Sequence, residues 1–294
     1  MSALSEAGTE HLTVSELRES YGLISSVPFS GAITITSLAD DLDSISPGAL
    51  YMPADSDIDE DVVLKAERRG AYVVLLPLEA RDHDLPGNIP VLYGDLSAAE
   101  KGALAARIAG HPSHSVAVFL VMGEHCREQI AVLANLLHVI GNPVGQIGFE
   151  QSLSLERHLA EEYPLSELDI QRMLSVFIED GASAVVIGAD KESLKSGALE
   201  SVVVDVCAIC DDAVEEDEGH SSLKAMMDYY GAVLRERTHL AHRSGETDEM
   251  AHHFDPAADP AAIRRLSLAL AMVMKAGVRK SNIKSALRVS KEMK

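Results

Sequence analysis

Short apolar runs of strand character alternate along the chain with stretches of helical period. That alternation constrains the fold more than any other feature. Ala32-Ile-Thr-Ile-Thr36 repeats with period two and reads as a half-buried strand. Ser46-Pro-Gly-Ala49 reads as a turn before the strand Leu50-Tyr-Met52. Asp59 to Arg69 is a charged helix stopped by Gly70, and Ala71-Tyr-Val-Val-Leu-Leu76 and Ile89-Pro-Val-Leu-Tyr93 are strands. Ser97-Ala-Ala-Glu100 carries the spacing of a capping box, in which side chain and backbone satisfy each other at a helix start. After a linker at His111-Pro-Ser-His114 come a strand over Ser115–Met122, a helix over Glu124–Ile140 and a strand at Val144-Gly-Gln-Ile147. A helix capped at Ser166 follows, then strands at Ala184-Val-Val-Ile187 and Val202–Ile209, and a helix over Ser222–Arg237. His242 to Pro260 reads as a polar loop. Helices over Ala261–Lys275 and Ser281–Met293, the second with Ser281 as its N-cap, close the chain. Strands interleaved with helices predict an α/β fold with a mainly parallel sheet.

The 294 residues suit one large domain or two medium ones, and a hydrophobic share of 47% supplies a core. The segmentation expected is a lead-in over 1–30 with one short helix near Thr13, a domain over 31–112, and a second over 113–294 that includes the closing helices at 261–294. A formal charge of −21 argues against phosphate-rich partners, which the chain would repel, so neither nucleic acid nor a membrane is expected as a partner. With no Trp and 4% aromatics, no base-stacking surface suggests itself. Met1 to Glu10 lacks the basic and apolar regions of a signal peptide. Apolar runs such as Ser201–Cys210 fall far short of the roughly 18 residues a membrane span needs. The expectation is a soluble, cytoplasmic, acidic protein, in which Cys126, Cys207 and Cys210 form no disulfide framework.

Several stretches resemble the Mur ligase family, on the side of its UDP-N-acetylmuramyl-tripeptide synthetases. Ile33-Thr-Ile-Thr-Ser37, Ser46-Pro-Gly-Ala-Leu-Tyr51 and Ala66-Glu-Arg-Arg-Gly-Ala-Tyr-Val-Val74 are similar to the family's N-terminal UDP-sugar domain. Leu104–Ser113 looks like its interdomain helix and linker, and Ser115–Gly148 follows the order of its ATPase domain, ending in Gly141-Asn-Pro-Val-Gly-Gln-Ile-Gly148. Leu168-Asp-Ile-Gln-Arg-Met-Leu174 and Glu179-Asp-Gly-Ala-Ser-Ala-Val-Val186 resemble the next helix and strand of that domain, and the closing pair over Ala261–Ser290 resembles the helices that complete it. The resemblance implies a small UDP-sugar-type α/β domain followed by a reduced central domain, without the family's C-terminal domain.

The same resemblance implies where the chemistry belongs. The family's phosphate loop reads roughly G-x-T-G-T-N-G-K-T-T; here the matching stretch is Leu120-Val-Met-Gly-Glu-His-Cys-Arg-Glu-Gln129. Only Gly123 remains of the glycines that let backbone N–H groups approach phosphate. Arg127 keeps the positive charge but not the compact ammonium. Glu128 stands where a metal-ligand hydroxyl belongs, and Glu124 adds a second carboxylate. Gly123 and Arg127 are therefore the candidate cofactor-binding residues of a degenerate P-loop, and no catalytic or metal-ligating residue is assigned. Asp190 or Glu192 would serve Mg²⁺ only from a shifted register; Tyr230 or Val233 falls where the family has a carbamylated Lys; Thr36-Ser-Leu38 stands where it has the Asp-Ser-Arg that grips the UDP-sugar.

Two functions stay open. The first is a non-catalytic pseudoenzyme with a binding or regulatory role in peptidoglycan biosynthesis, the making of the cell wall. It would need no cofactor, and would bind a UDP-sugar-peptide or a cell-wall enzyme, or form a homo-oligomer through a sheet edge. The alternative is a divergent ATP-dependent UDP-N-acetylmuramyl-peptide synthetase, an amide-bond-forming ligase using ATP and Mg. Outside that framework, Cys207-Ala-Ile-Cys210 reads as strand cysteines, half a metal site with His220, or a redox pair, and residues three apart on a strand face opposite sides. The acidic run from Asp211 to Glu218 and the basic terminal helix (Lys280, Lys284, Arg288, Lys291, Lys294) read as solvated or as docking faces.

Overall fold

The computed structural model describes residues 12–54, 59–123, 126–210, 224–232, 235–236 and 238–292. The chain divides into two units, one ending at His111 and the other beginning at Pro112.

In the first unit the elements are β1 (Leu12–Thr13), α1 (Val14–Tyr21), β2 (Ile24–Ser25), β3 (Thr34–Ile35), β4 (Ser37–Ala39), β5 (Ala49–Tyr51), α2 (Val62–Arg69), β6 (Val73–Leu76), β7 (Val91–Tyr93) and α3 (Ala98–Ile108). A five-stranded sheet runs β2-β7-β6-β5-β4, parallel except for β2. Thr13 and Glu16 form a capping box that starts α1, whose Val14 and Leu17 are buried. Ser97 and Glu100 do the same for α3, as their spacing predicts.

The single strand expected over 32–36 is divided. Ile33 N–H donates back to Ser30 O, closing a 3-10 turn over Ser30–Ala32. Thr34–Ile35 then pairs with Leu12–Thr13, while Ser37–Ala39 enters the main sheet beside β5. At that transfer Thr36 N–H donates to Gly48 O (3.0 Å). A Cβ at Gly48 would stand 2.2 Å from Thr36 Oγ1, and its φ of +92° already favours glycine.

The second unit contains β8 (Ala117–Met122), α4 (Cys126–Val139), β9 (Val144–Ile147), β10 (Leu153–Ser154), β11 (Arg157–His158), α5 (Glu167–Glu179), β12 (Ala184–Ala189) and β13 (Val206–Ile209). Then come α6 (224–230), β14 (His239–Leu240), α7 (Gly245–Phe254), α8 (Pro260–Lys275) and α9 (Lys280–Glu292). Its seven-stranded sheet runs β11-β10-β9-β12-β8-β13-β14. The five strands from β9 to β14 are parallel, and the β10–β11 hairpin extends the sheet antiparallel. The fold is thus mixed α/β with mainly parallel sheets.

Alternate residues of β8 divide the core. Val118, Leu120 and Met122 pack with α5 and α6 on one face; Phe119 and Val121 pack with α4, α7, α8 and α9 on the other. Close approach of α4 needs two glycines. A Cβ at Gly188 would stand 2.4 Å from Ile130 Cδ1, and one at Gly148 2.8 Å from the same atom.

The second unit also differs from the sequence reading: the helix expected over 222–237 is described over 224–230 and gives way to a turn at Gly231. The expected polar loop over 242–260 contains α7, started by a capping box of Ser244 and Thr247 and buried through Met250 and Ala251. The closing helix begins at Lys280, so Ser281 sits in its first turn and its hydroxyl meets Asn282 Oδ1 instead of capping. The strand expected from Val202 begins only at Val206. Before it, Val202 N–H turns back to Leu199 O, and the Asp205 carboxylate takes the Val118 N–H (2.8 Å) that a paired strand would otherwise engage.

Candidate functional site

The carboxyl ends of β8, β9, β12 and β13 meet around the turn that leads into α4. Gly123 ends β8 with φ +117°, a conformation that other residues rarely adopt. Cys126 then opens α4, and its side chain is 1% exposed. The Cys126 thiol folds back over the turn, within 2.9 Å of Gly123 O and 3.5 Å of Val121 O. Glu124 and His125, which complete the loop, lie outside the described residues.

Arg127 turns away from Gly123 toward the segment after β9. Its Nη2 donates to Phe149 O (3.3 Å) and lies 3.8 Å from Glu150 Oε2, and its guanidinium stands 6.0 Å from the Phe149 ring centroid. The Phe149 ring also meets Tyr163 edge-on at 5.5 Å, and Tyr163 Oη hydrogen-bonds Ser152 Oγ (2.6 Å). Glu128 is exposed, whereas Gln129 is buried and donates from Nε2 to Arg265 O (3.1 Å).

The turn after β12 is laced to the same region. Asp190 Oδ1 accepts from Glu192 N–H (3.1 Å) and Ser193 N–H (2.8 Å), and Phe149 N–H donates to the buried Ser193 Oγ (3.0 Å). One of the two carboxylate oxygens of Asp190 is thereby taken up by its own turn. The structure brings Asp190 near Cys126 and Tyr230: the phenol of Tyr230 is pushed up to about 12 by burial first, then by the Asp190 charge. Val233 lies outside the described residues.

The cysteines separate by face. Cys207 is fully buried on the α5 side, where burial pushes its thiol up to about 11. Cys210 lies on the α4 side, its Sγ 3.5 Å from Cys126 Sγ and 3.3 Å from Met122 O. Cys207 and Cys210 therefore do not act as a pair, while Cys126 and Cys210 are in contact across 84 positions of sequence. The hydrogen bond to Cys210, followed by burial, raises the Cys126 thiol well above its ordinary value. The register that pairs Ile209 with Met122 sets Cys210 beside Gly123, so only the strand order, not the C-x-x-C spacing, reveals this contact. Among the described residues no three His, Cys, Asp or Glu side chains cluster as a metal site requires; His220 and the acidic run from Asp211 to Glu218 lie outside them.

A cleft of about 1010 Å³ lies at the opposite end of β9, lined by His138, Asn142, Gln146, Arg157 and Asp180 among others. Its Asp180 is already paired with Ser154 and Arg157.

No family model matches the chain. Over 205 residues it is 27% identical to the UDP-N-acetylmuramoyl-L-alanyl-D-glutamate–2,6-diaminopimelate ligase of Streptomyces coelicolor, covering 69% of this chain and 40% of the relative. The ligase of the same description from Streptomyces avermitilis is 26% identical over 225 residues, covering 76% of this chain and 44% of the relative. Its homologues are Mur ligases. The chain spans 40–44% of the length of the curated relatives it matches. Among solved structures, the UDP-N-acetylmuramoylalanyl-D-glutamyl-2,6-diaminopimelate–D-alanyl-D-alanyl ligase of Acinetobacter baumannii superimposes with a TM-score of 0.57. That match covers 95% of this chain and 69% of that one at 13% identity. A UDP-N-acetylmuramoyl-L-alanyl-D-glutamate–2,6-diaminopimelate ligase structure gives 0.50, over 74% of this chain and 45% of that one, again at 13%. At such identity the likeness is one of fold, mixed α/β with mainly parallel sheets.

Proposed function

We propose that this protein is a Mur ligase-like pseudoenzyme, with a binding or regulatory role in peptidoglycan precursor synthesis and no ligation of its own. In this reading the unit ending at His111 corresponds to the family's UDP-sugar-binding domain, and the unit from Pro112 to its ATPase domain. Gly123 and Arg127 are the remnants of the nucleotide loop.

The observation that carries the reading is the pair of side chains that flank the Gly123 turn, Cys126 and Arg127. Binding a triphosphate there needs backbone N–H groups turned inward, a cation over the phosphates and a hydroxyl on the metal. Instead the Cys126 thiol lies against Gly123 O, Arg127 donates to Phe149 O beside Glu150, and Glu128 presents a carboxylate. Phosphate and the Glu128 carboxylate carry charges of the same sign, which repel at such a site unless a metal intervenes. Phosphoryl transfer depends on neutralisation and alignment together, so these departures act jointly.

Calorimetric titration with ATP–Mg²⁺, and separately with UDP-N-acetylmuramyl-peptide, tests the proposal. The expected result is no heat with ATP–Mg²⁺. A UDP-sugar signal alone assigns a sensor of the precursor, and silence from both assigns a scaffold. Micromolar ATP binding with turnover overturns the reading in favour of the ATP-dependent ligase.

A further inference from the structure

Two cysteines far apart in sequence meet beside the turn that the ligase reading would reserve for phosphate, and nothing in that reading uses them. Their sulfurs stand 3.5 Å apart, which is van der Waals contact. Closing that gap to the roughly 2 Å of a disulfide requires each sulfur to move by less than about 1 Å. The backbone already holds both ends. Cys210 N–H donates to Met122 O (2.9 Å), fixing the end of β13 to the end of β8, and the Cys126 sulfur lies against Gly123 O one residue further on. The two side chains differ in access: Cys126 is 1% exposed, while Cys210 is partly exposed. Cys207 is fully buried on the other face of the sheet.

We propose that Cys126 and Cys210 form a reversible, hydroperoxide-driven disulfide that joins the start of α4 to the end of β13. Cys210 takes the oxidant because it is the partly exposed residue of the two, Cys126 being buried. Once ionised, it attacks one oxygen of hydrogen peroxide; the O–O bond breaks, hydroxide leaves and takes up the proton that Cys210 gave up on ionising, forming water, and Cys210 becomes a sulfenic acid. Cys126 then attacks Cys210 Sγ. The S–O bond breaks, the departing hydroxide carries off the Cys126 proton as a second water, and the S–S bond forms. The pair loses two electrons and the peroxide gains them.

The test is peroxide treatment of the reduced, full-length native chain, followed by thiol blocking under denaturing conditions and peptide mass mapping. Two of the three thiols are expected to disappear, with a Cys126–Cys210 linked peptide lighter by two hydrogens, and a dithiol reductant is expected to restore both. The C207S chain should behave identically. The C126S chain should lose the linkage and leave Cys210 trapped by a sulfenic-acid reagent such as dimedone. Should C126S fail to fold, the map of the native chain decides alone. Retention of all three thiols overturns the proposal, as does a Cys207–Cys210 linkage, a disulfide between chains, or a dimedone adduct on Cys210 as abundant in the native chain as in C126S.

Discussion

Gly188 shows how little room individual residues leave around this turn. Its position on β12 lets Ile130 of α4 lie directly on the sheet, and an added Cβ would meet Ile130 Cδ1 at 2.4 Å and Cys126 Cβ at 3.3 Å. Gly188→Ala overpacks the contact, so it is expected to lower stability by about 1–3 kcal/mol. Ile130→Val removes the atom in the way at its own loss of about 1 kcal/mol. The double variant should therefore be less destabilised than the sum of the two singles, as urea unfolding would measure; strict additivity would mean that α4 shifts to make room. At this scale the candidate site was only half legible in the sequence. Gly123 and Arg127 could be placed on the turn, because a strand, a glycine and a helix start are local signals. That Arg127 is held by Phe149 and Glu150, or that Cys126 meets Cys210, depends on strand order and on turns more than twenty residues away.

At the scale of elements, capping chemistry was the most readable signal. The boxes at Ser97 and Ser166 announce α3 and α5, and the apolar runs announce β6, β8 and β12. The elements missed are those whose sequence carries little hydrophobic contrast. Helix α7 buries only Thr247, Met250 and Ala251, and β10, β11 and β14 are two residues each. Their placement comes from partners. Helix α7 is joined to α8 by a buried hydrogen bond in which Ser267 Oγ donates to Thr247 Oγ1 (2.8 Å). Thr247→Val leaves that hydroxyl without its acceptor and weakens the cap at Ser244, so a loss of about 1–3 kcal/mol is expected. Ser267→Ala should lose less, and the double variant should recover part of the sum, since both partners are then gone. Denaturant titration of the four chains measures the coupling. A coupling energy near zero would mean that the two helices are held by Met250, Ala251 and Leu270 alone.

For the molecule as a whole, net charge is the property that the sequence states outright and that the fold leaves in place. Forty-six acidic residues against twenty-five basic ones give −21, and few of the ion pairs are shielded. Lys65–Asp59, Arg69–Asp43 and Lys280–Glu246 are all made by side chains at least 45% exposed, where such pairs contribute at most about 1 kcal/mol each. Excess negative charge repels itself in the compact state more than in the expanded one. Salt weakens both effects, but in opposite directions: screening the pairs destabilises, and screening the repulsion stabilises. The Debye length falls from about 30 Å at 0.01 M to about 8 Å at 0.15 M, so long-range repulsion is removed while contacts of a few ångströms are weakened far less. The melting temperature is therefore expected to rise over that range of potassium chloride and to level off above it. A fall in Tm with salt would mean that the surface pairs outweigh the repulsion. Repeating the series with K280E separates the terms. That change breaks the pair with Glu246 and adds two negative charges to the net, so Tm should drop at low salt and the drop should shrink as salt rises.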